Sequence, residues 1–209
     1  MNALKHFSGI VSLCIVCAFA SSARAAAPAV PDLRDGQVLE ALLLHLLADP
    51  KFDMARVPTN GAVIVLHAQT PKGTGFLQSH QIRSDVGGHT LPGDAERDLR
   101  RRNSPPDVKP DTYDPVAASF TNLTFGAGIA VSDLTGIWSQ RRSSGAFEAA
   151  HPKARGWVEA YLPGYSNDGS RAIVRALVGP SAHAAMVTAI LEKTDDKWVI
   201  KWHHIAWYA

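Results

Sequence analysis

Cysteine is almost missing from this 209-residue chain: its two copies, Cys14 and Cys17, both lie in the first 25 residues. The remainder has no thiol, so it cannot be stapled by disulfides even in an oxidising compartment. An excess of one charge is also lacking. There are 21 Lys and Arg against 19 Asp and Glu, and the balance is even once Lys5 and Arg24 are set aside. Such a composition offers no electrostatic footprint for nucleic acid or an anionic membrane surface as partner. Beyond residue 25 no apolar run reaches the roughly 20 residues of a spanning helix, so no membrane span is expected there.

The spacings of familiar catalytic motifs are absent too. Gly73-Thr-Gly75 lacks both the third glycine of a dinucleotide loop and the Lys-Ser/Thr pair of a phosphate loop, and reads as a turn. Gly164-Tyr-Ser166-Asn-Asp168 lacks the closing glycine of a nucleophile elbow. His80, Asp85 and His89 do not have the spacing of a helical zinc motif. No motif implies a cofactor or a metal.

What is present begins with Lys5, the apolar run from Phe7 to Ala20 and the small residues Ala23 and Ala25, which form an A-x-A cleavage site. That order is a secretory signal peptide, residues 1–25, and places the product in the periplasm or outside the cell. Leu13 and Val16 stand before the two cysteines where a lipoprotein site has a small residue, which argues against lipidation. Residues 26–34 read as a flexible spacer and 35–209 as one domain.

Within that domain, Asp32 or Asp35 is an N-cap for a helix through Val38 to Ala48, ended by Asp49-Pro50. Its leucines leave only Gln37, Glu40 and His45 as polar positions, so it must be covered, with His45 at its edge. Gly61 to His67 is a β-branched run suited to a strand buried on both faces. Phe76 to Asp85 and Asp94 to Asn103 read as short helices. The second carries Arg97, Arg100, Arg101 and Arg102 spread round its circumference, either a solvated face with Asp94, Glu96 and Asp98 as local partners or an anion site. Asp107 to Pro115 reads as a loop, Val116 to Phe125 and Gly128 to Leu134 as strands, and Gly136 to Lys153 as an irregular excursion. The last quarter holds four β-type runs: Gly156–Leu162, Arg171–Val178, Ala184–Lys193 and Trp198–Tyr208. Turn signals at 164–169, 179–183 and 194–197 separate them, which predicts an antiparallel meander.

Candidate chemistry is sparse. His203 and His204, adjacent in a strand, point to opposite faces, so only one of them could join His183 in a catalytic or metal site. The bland alternative is a turn histidine with two partly exposed strand histidines. Trp198 and Trp202 share one face with His204 if the last strand is regular, about 13 Å apart at roughly 3.3 Å per residue. They form either core or a platform for a sugar ring or apolar ligand, with Arg97 and Arg101 as further ligand-binding candidates.

Leu162-Pro-Gly-Tyr-Ser-Asn-Asp-Gly169, Gly179-Pro-Ser-Ala-His183 and the closing Trp198-Val-Ile-Lys-Trp202 resemble a group of exported bacterial proteins of unknown function that share a C-terminal Gly-aromatic-Ser-x-Asp-Gly β-meander. The resemblance covers about the last 50 residues and implies no activity.

The pattern as a whole predicts an α+β fold in which an N-terminal helix packs on a mainly antiparallel sheet ending in a four-strand meander. A cone-shaped, nuclear-transport-factor-like sheet is the alternative. For function it favours a non-catalytic periplasmic or secreted binding module for a small molecule, glycan or protein. The alternative is a small hydrolase or metal-assisted enzyme built on His183 with His203 or His204.

Overall fold

A computed structural model describes residues 30–49, 62–71, 75–104, 118–139, 145–179 and 184–207. Helix α1, Leu33–Ala48, opens on a capping box in which the Asp32 carboxylate accepts from the Asp35 N–H and the Asp35 carboxylate accepts from the Asp32 N–H. Residues 33 and 34, assigned above to the spacer, are therefore already helical. Val38, Leu39, Leu42, Leu43 and Leu46 are fully buried along one stripe, each contributing about 1.5–3 kcal/mol by leaving water.

The stripe rests on one face of a seven-stranded sheet ordered β2-β1-β3-β5-β6-β7, with the short β4 also paired to β5. The strands are β1 Val63–His67, β2 Ile129–Ser132, β3 Ala154–Ala160, β4 Gly164–Tyr165, β5 Arg171–Gly179, β6 Ala185–Thr194 and β7 Lys197–Trp207. β1 runs parallel to both β2 and β3, and every later pairing is antiparallel. The fold is thus α+β with a mixed, mostly antiparallel open sheet ending in the expected meander. Four of the five residues of β1 are buried, as its β-branched run predicts.

Strand alternation divides the core. Ala172, Val174, Ala176 and Val178 of β5, with Ala185, Val187, Ala189 and Leu191 of β6, face α1. Ile173 and Met186 face the other way, toward α2 (Ser79–Asp85) and α3 (Gly93–Asn103). Helices on both faces of an open sheet set this architecture apart from the cone-shaped alternative, in which the sheet curls round its helices.

Two local expectations give way. Val116 to Phe125 is not a strand over its described part: Ser119 makes one isolated bridge to Gln69, and a turn follows at Thr121 and Asn122. Phe120, fully buried, anchors this loop with its N–H on the Ala68 carbonyl (2.8 Å). The 136–153 excursion contains most of one short helix, α4 (Thr135–Ser139), and all of another, α5 (Ala146–Ala150). Residues 1–29, with the signal peptide, the 107–115 loop and His183 lie outside the described residues.

Helix α3 lies against β4 with no room for a side chain between them. A Cβ on Gly164 would overlap the Leu99 nitrogen and the Ala95 carbonyl. Side chains of α3 then serve the backbone of 162–167 as a neighbouring strand would. Asp94 accepts from the Asn167 N–H and Asp98 from the Tyr165 N–H, both at 2.9 Å, while Asn103 accepts from the Leu162 N–H and donates to its carbonyl. The match is geometric: four residues of helix advance about 6 Å and two residues of strand about 6.6 Å, so acids at i and i+4 meet alternate N–H groups.

Candidate functional site

The N-terminal end of α1 and the β4–β5 hairpin meet around a buried trio. Asp35, fully buried, receives both Arg102 terminal nitrogens (2.6 and 2.8 Å) and the Tyr165 hydroxyl (2.8 Å). Burial alone would lower the Arg102 pKa, but the hydrogen bonds and charge of Asp35 outweigh it and hold it above its ordinary value. Burial first, then Asp35, pushes the Tyr165 hydroxyl up, so it stays a donor. Of the arginines crowding α3, Arg102 therefore turns inward and is structural.

The trio fixes the ring on which the surface site is built. Arg34, exposed on the first turn of α1, lies 3.7 Å above the Tyr165 ring. On one side of Arg34 an open groove of about 520 Å³ is flanked by Arg97 and Arg101, with Ser166 and Asn167 alongside. On the other a groove of about 460 Å³ is lined by Gln37, Lys193 and Trp198. Three candidates drawn from the sequence, Arg97, Arg101 and Trp198, thus converge on a residue that sequence reasoning passed over. A capped helix beginning Leu-Arg-Asp shows that residue 34 sits in a first turn, but not which ring it will cover.

The acids in the groove are already engaged. Asp98 takes Arg101 on one oxygen (2.5 Å) and the Tyr165 N–H on the other. The Asn167 N–H, then that of Ala95, holds the Asp94 carboxyl below the usual range, so it remains ionised and bound to backbone. Arg100 pairs with Glu96 at 3.8 Å on the same helix, one of the local pairs the sequence suggested.

The two tryptophans do not form one platform. Register shifts at Ile190/Leu191, where Ile190 opposes Trp202 and Leu191 opposes Ile200, leaving Lys201 as the extra residue of a β-bulge. Trp198 and Ile200 consequently join the α1 side of the sheet, while Trp202 takes the opposite side. Trp198 is 8% exposed and tilts against Tyr165 at 6.0 Å. Trp202 stacks on His89 at 4.3 Å and lies parallel to His204 at 6.1 Å.

His203 and His204 do point to opposite faces, as adjacency in a strand requires. His204 sits near Gly87 beyond α2. His203, opposite Ala189, reaches the C-terminal end of α1, where it meets His45 at 3.2 Å and Asp49 at 3.6 Å. The helix-edge reading of His45 accounts for its partial exposure but not for this partner. Among the described residues no helix is long and apolar enough to cross a membrane. No protein-family model, curated protein or solved structure matches the chain.

Proposed function

We propose that the chain is an exported, non-catalytic binding module, periplasmic or secreted, holding a small molecule or glycan that bears a carboxylate or phosphate in the groove around Arg34. The observation behind this reading is the seating of Arg34 over the Tyr165 ring, 3.7 Å from its centre, with Arg97 and Arg101 on one side and Lys193 and Trp198 on the other. A guanidinium lying over a ring still presents its N–H edge in the plane, the geometry that pairs bidentately with a carboxylate or phosphate. Because Asp35 and Arg102 hold Tyr165 before any ligand arrives, little ordering cost falls on binding. Repulsion from Asp94 and Asp98 is reduced by the backbone N–H groups that each already accepts. The signal-like order of residues 1–25 supports export.

Calorimetry with paired acidic and neutral sugars tests this. Galacturonate and glucose 6-phosphate should bind while galactose and glucose do not, and Arg34→Gln or Arg97→Ala should each weaken binding about 10- to 100-fold, the worth of a charged hydrogen bond. Binding that is equal for acidic and neutral sugars, absent for both acids, or unchanged in both variants overturns it.

A further inference from the structure

The opposite end of α1 carries a second cluster, independent of the groove. His45 and Asp49 are four residues apart and so share one face of the last helical turn and its cap. His203 comes to them from edge strand β7, on the α1 side of the sheet. All three are half-buried, and with one donor atom each their ligand atoms lie within 4.8 Å of one another. From these side chains we infer a divalent transition-metal site of two histidines and one carboxylate.

Three features carry the inference. The first is spacing: metal–ligand bonds of about 2.0–2.2 Å place neighbouring ligand atoms roughly 3–3.5 Å apart. His45 Nε2 and His203 Nδ1 stand 3.2 Å apart, and His203 Nε2 and the Asp49 carboxylate 3.6 Å. His203 can give a metal only one of its two nitrogens, so closure from a spread of up to 4.8 Å needs side-chain rotation.

The second is charge. The cluster sits where the α1 carbonyls end, the negative pole of the helix, and it includes an anionic carboxylate. Arg155 shares this helix end, donating to the Leu47 and Asp49 carbonyls. Its charge opposes a cation, so the site favours strongly coordinating metals over those held by charge alone. The third is ligand type: imidazole and carboxylate together suit zinc, nickel, cobalt or iron, and three protein ligands leave coordination positions for water or a small ligand.

The test uses the tag-free mature chain and the metals alone. Zinc titrated at neutral pH should bind one ion per chain, and cobalt should give the visible bands of nitrogen–oxygen coordination. His203→Gln, His45→Ala and Asp49→Asn should each weaken zinc binding by more than the roughly 10–100-fold that outer-shell changes cost. His89→Ala and His204→Ala should leave it unchanged, as should Arg97→Ala in the sugar groove, which separates this site from the anion site. Thermal melting without metal establishes that each variant is folded. Zinc affinity retained in folded His203→Gln, loss equal in His204→Ala, or no stoichiometric binding by the unaltered chain overturns the inference.

Discussion

The two faces of the sheet are covered by opposite means. Toward α1, every inward residue of β5 is alanine or valine, packed on leucines, and shape and volume hold that layer together. Toward α2, the middle of β5 carries Arg175, which is fully buried. Its guanidinium donates to Asp85 (2.5 Å) and to the Thr188 hydroxyl (2.9 Å), and Gln81 donates to the second Asp85 oxygen (2.9 Å). Its Nε has no hydrogen-bond partner among the described residues. An apolar layer degrades gradually as atoms are removed. A buried ion pair fails at once when either partner goes, because the survivor keeps a charge that neither water nor protein compensates.

The sharpest way to break that comparison is to remove one member of the pair. Asp85→Ala should cost about 3–5 kcal/mol in urea unfolding, whereas the double replacement Asp85→Leu with Arg175→Met should fall near the unaltered protein or above it. A single variant that loses less than about 1 kcal/mol would mean that water reaches Arg175 and that the two faces do not differ as described. The apolar face should respond with its own signature. Leu43→Ala, on the fully buried stripe of α1, should cost about 2–5 kcal/mol. Leu43→Met, which conserves volume, should cost less than about 1.5 kcal/mol. A midpoint unmoved by Leu43→Ala would show that α1 is not packed on the sheet.

The same contrast explains what the sequence made legible. The α1 stripe, the buried β1 and the four runs of the meander announce themselves because apolar periodicity is local, and so does the turn at Asp195 and Asp196, both at positive φ (48° and 61°). Arg175 leaves a trace in the sequence that stops short of its partner. A lone arginine inside Ala172-Ile-Val-Arg-Ala-Leu-Val178 in a covered strand demands an acid, but Asp85 is 90 positions away and nothing in the chain names it. The Lys201 bulge was hidden for a similar reason, since register depends on the partner strand, and one extra residue sent Trp202 to the face opposite Trp198. Of the candidate metal site, the His45–Asp49 spacing is readable and the arrival of His203 is not.

The smallest effect concerns a carboxylate in the open, the counterpart of buried Asp85. Asp168, exposed in the β4–β5 turn, accepts the Ser166 hydroxyl (2.6 Å), the Ser170 N–H (3.0 Å) and the Ser170 hydroxyl. The Ser166 hydroxyl, followed by Ser170, lowers its pKa from 3.8 to about 2. A carboxyl more acidic folded than unfolded contributes stability that is complete above the unfolded value and fades as pH falls through the folded one. Between about pH 4 and pH 2 the stability that the turn contributes should therefore fade, and its three hydrogen bonds should go as pH falls through about 2 while the sheet remains. Its exposure makes the contribution small and sensitive to salt. Carbon-detected NMR should give Asp168 a midpoint near 2, with the Ser170 amide shifting in step, and Ser166→Ala should move that midpoint upward because it removes the largest cause. A midpoint near 3.8 in the unaltered protein, or no change in Ser166→Ala, would refute the idea that this turn is held by its ionised aspartate.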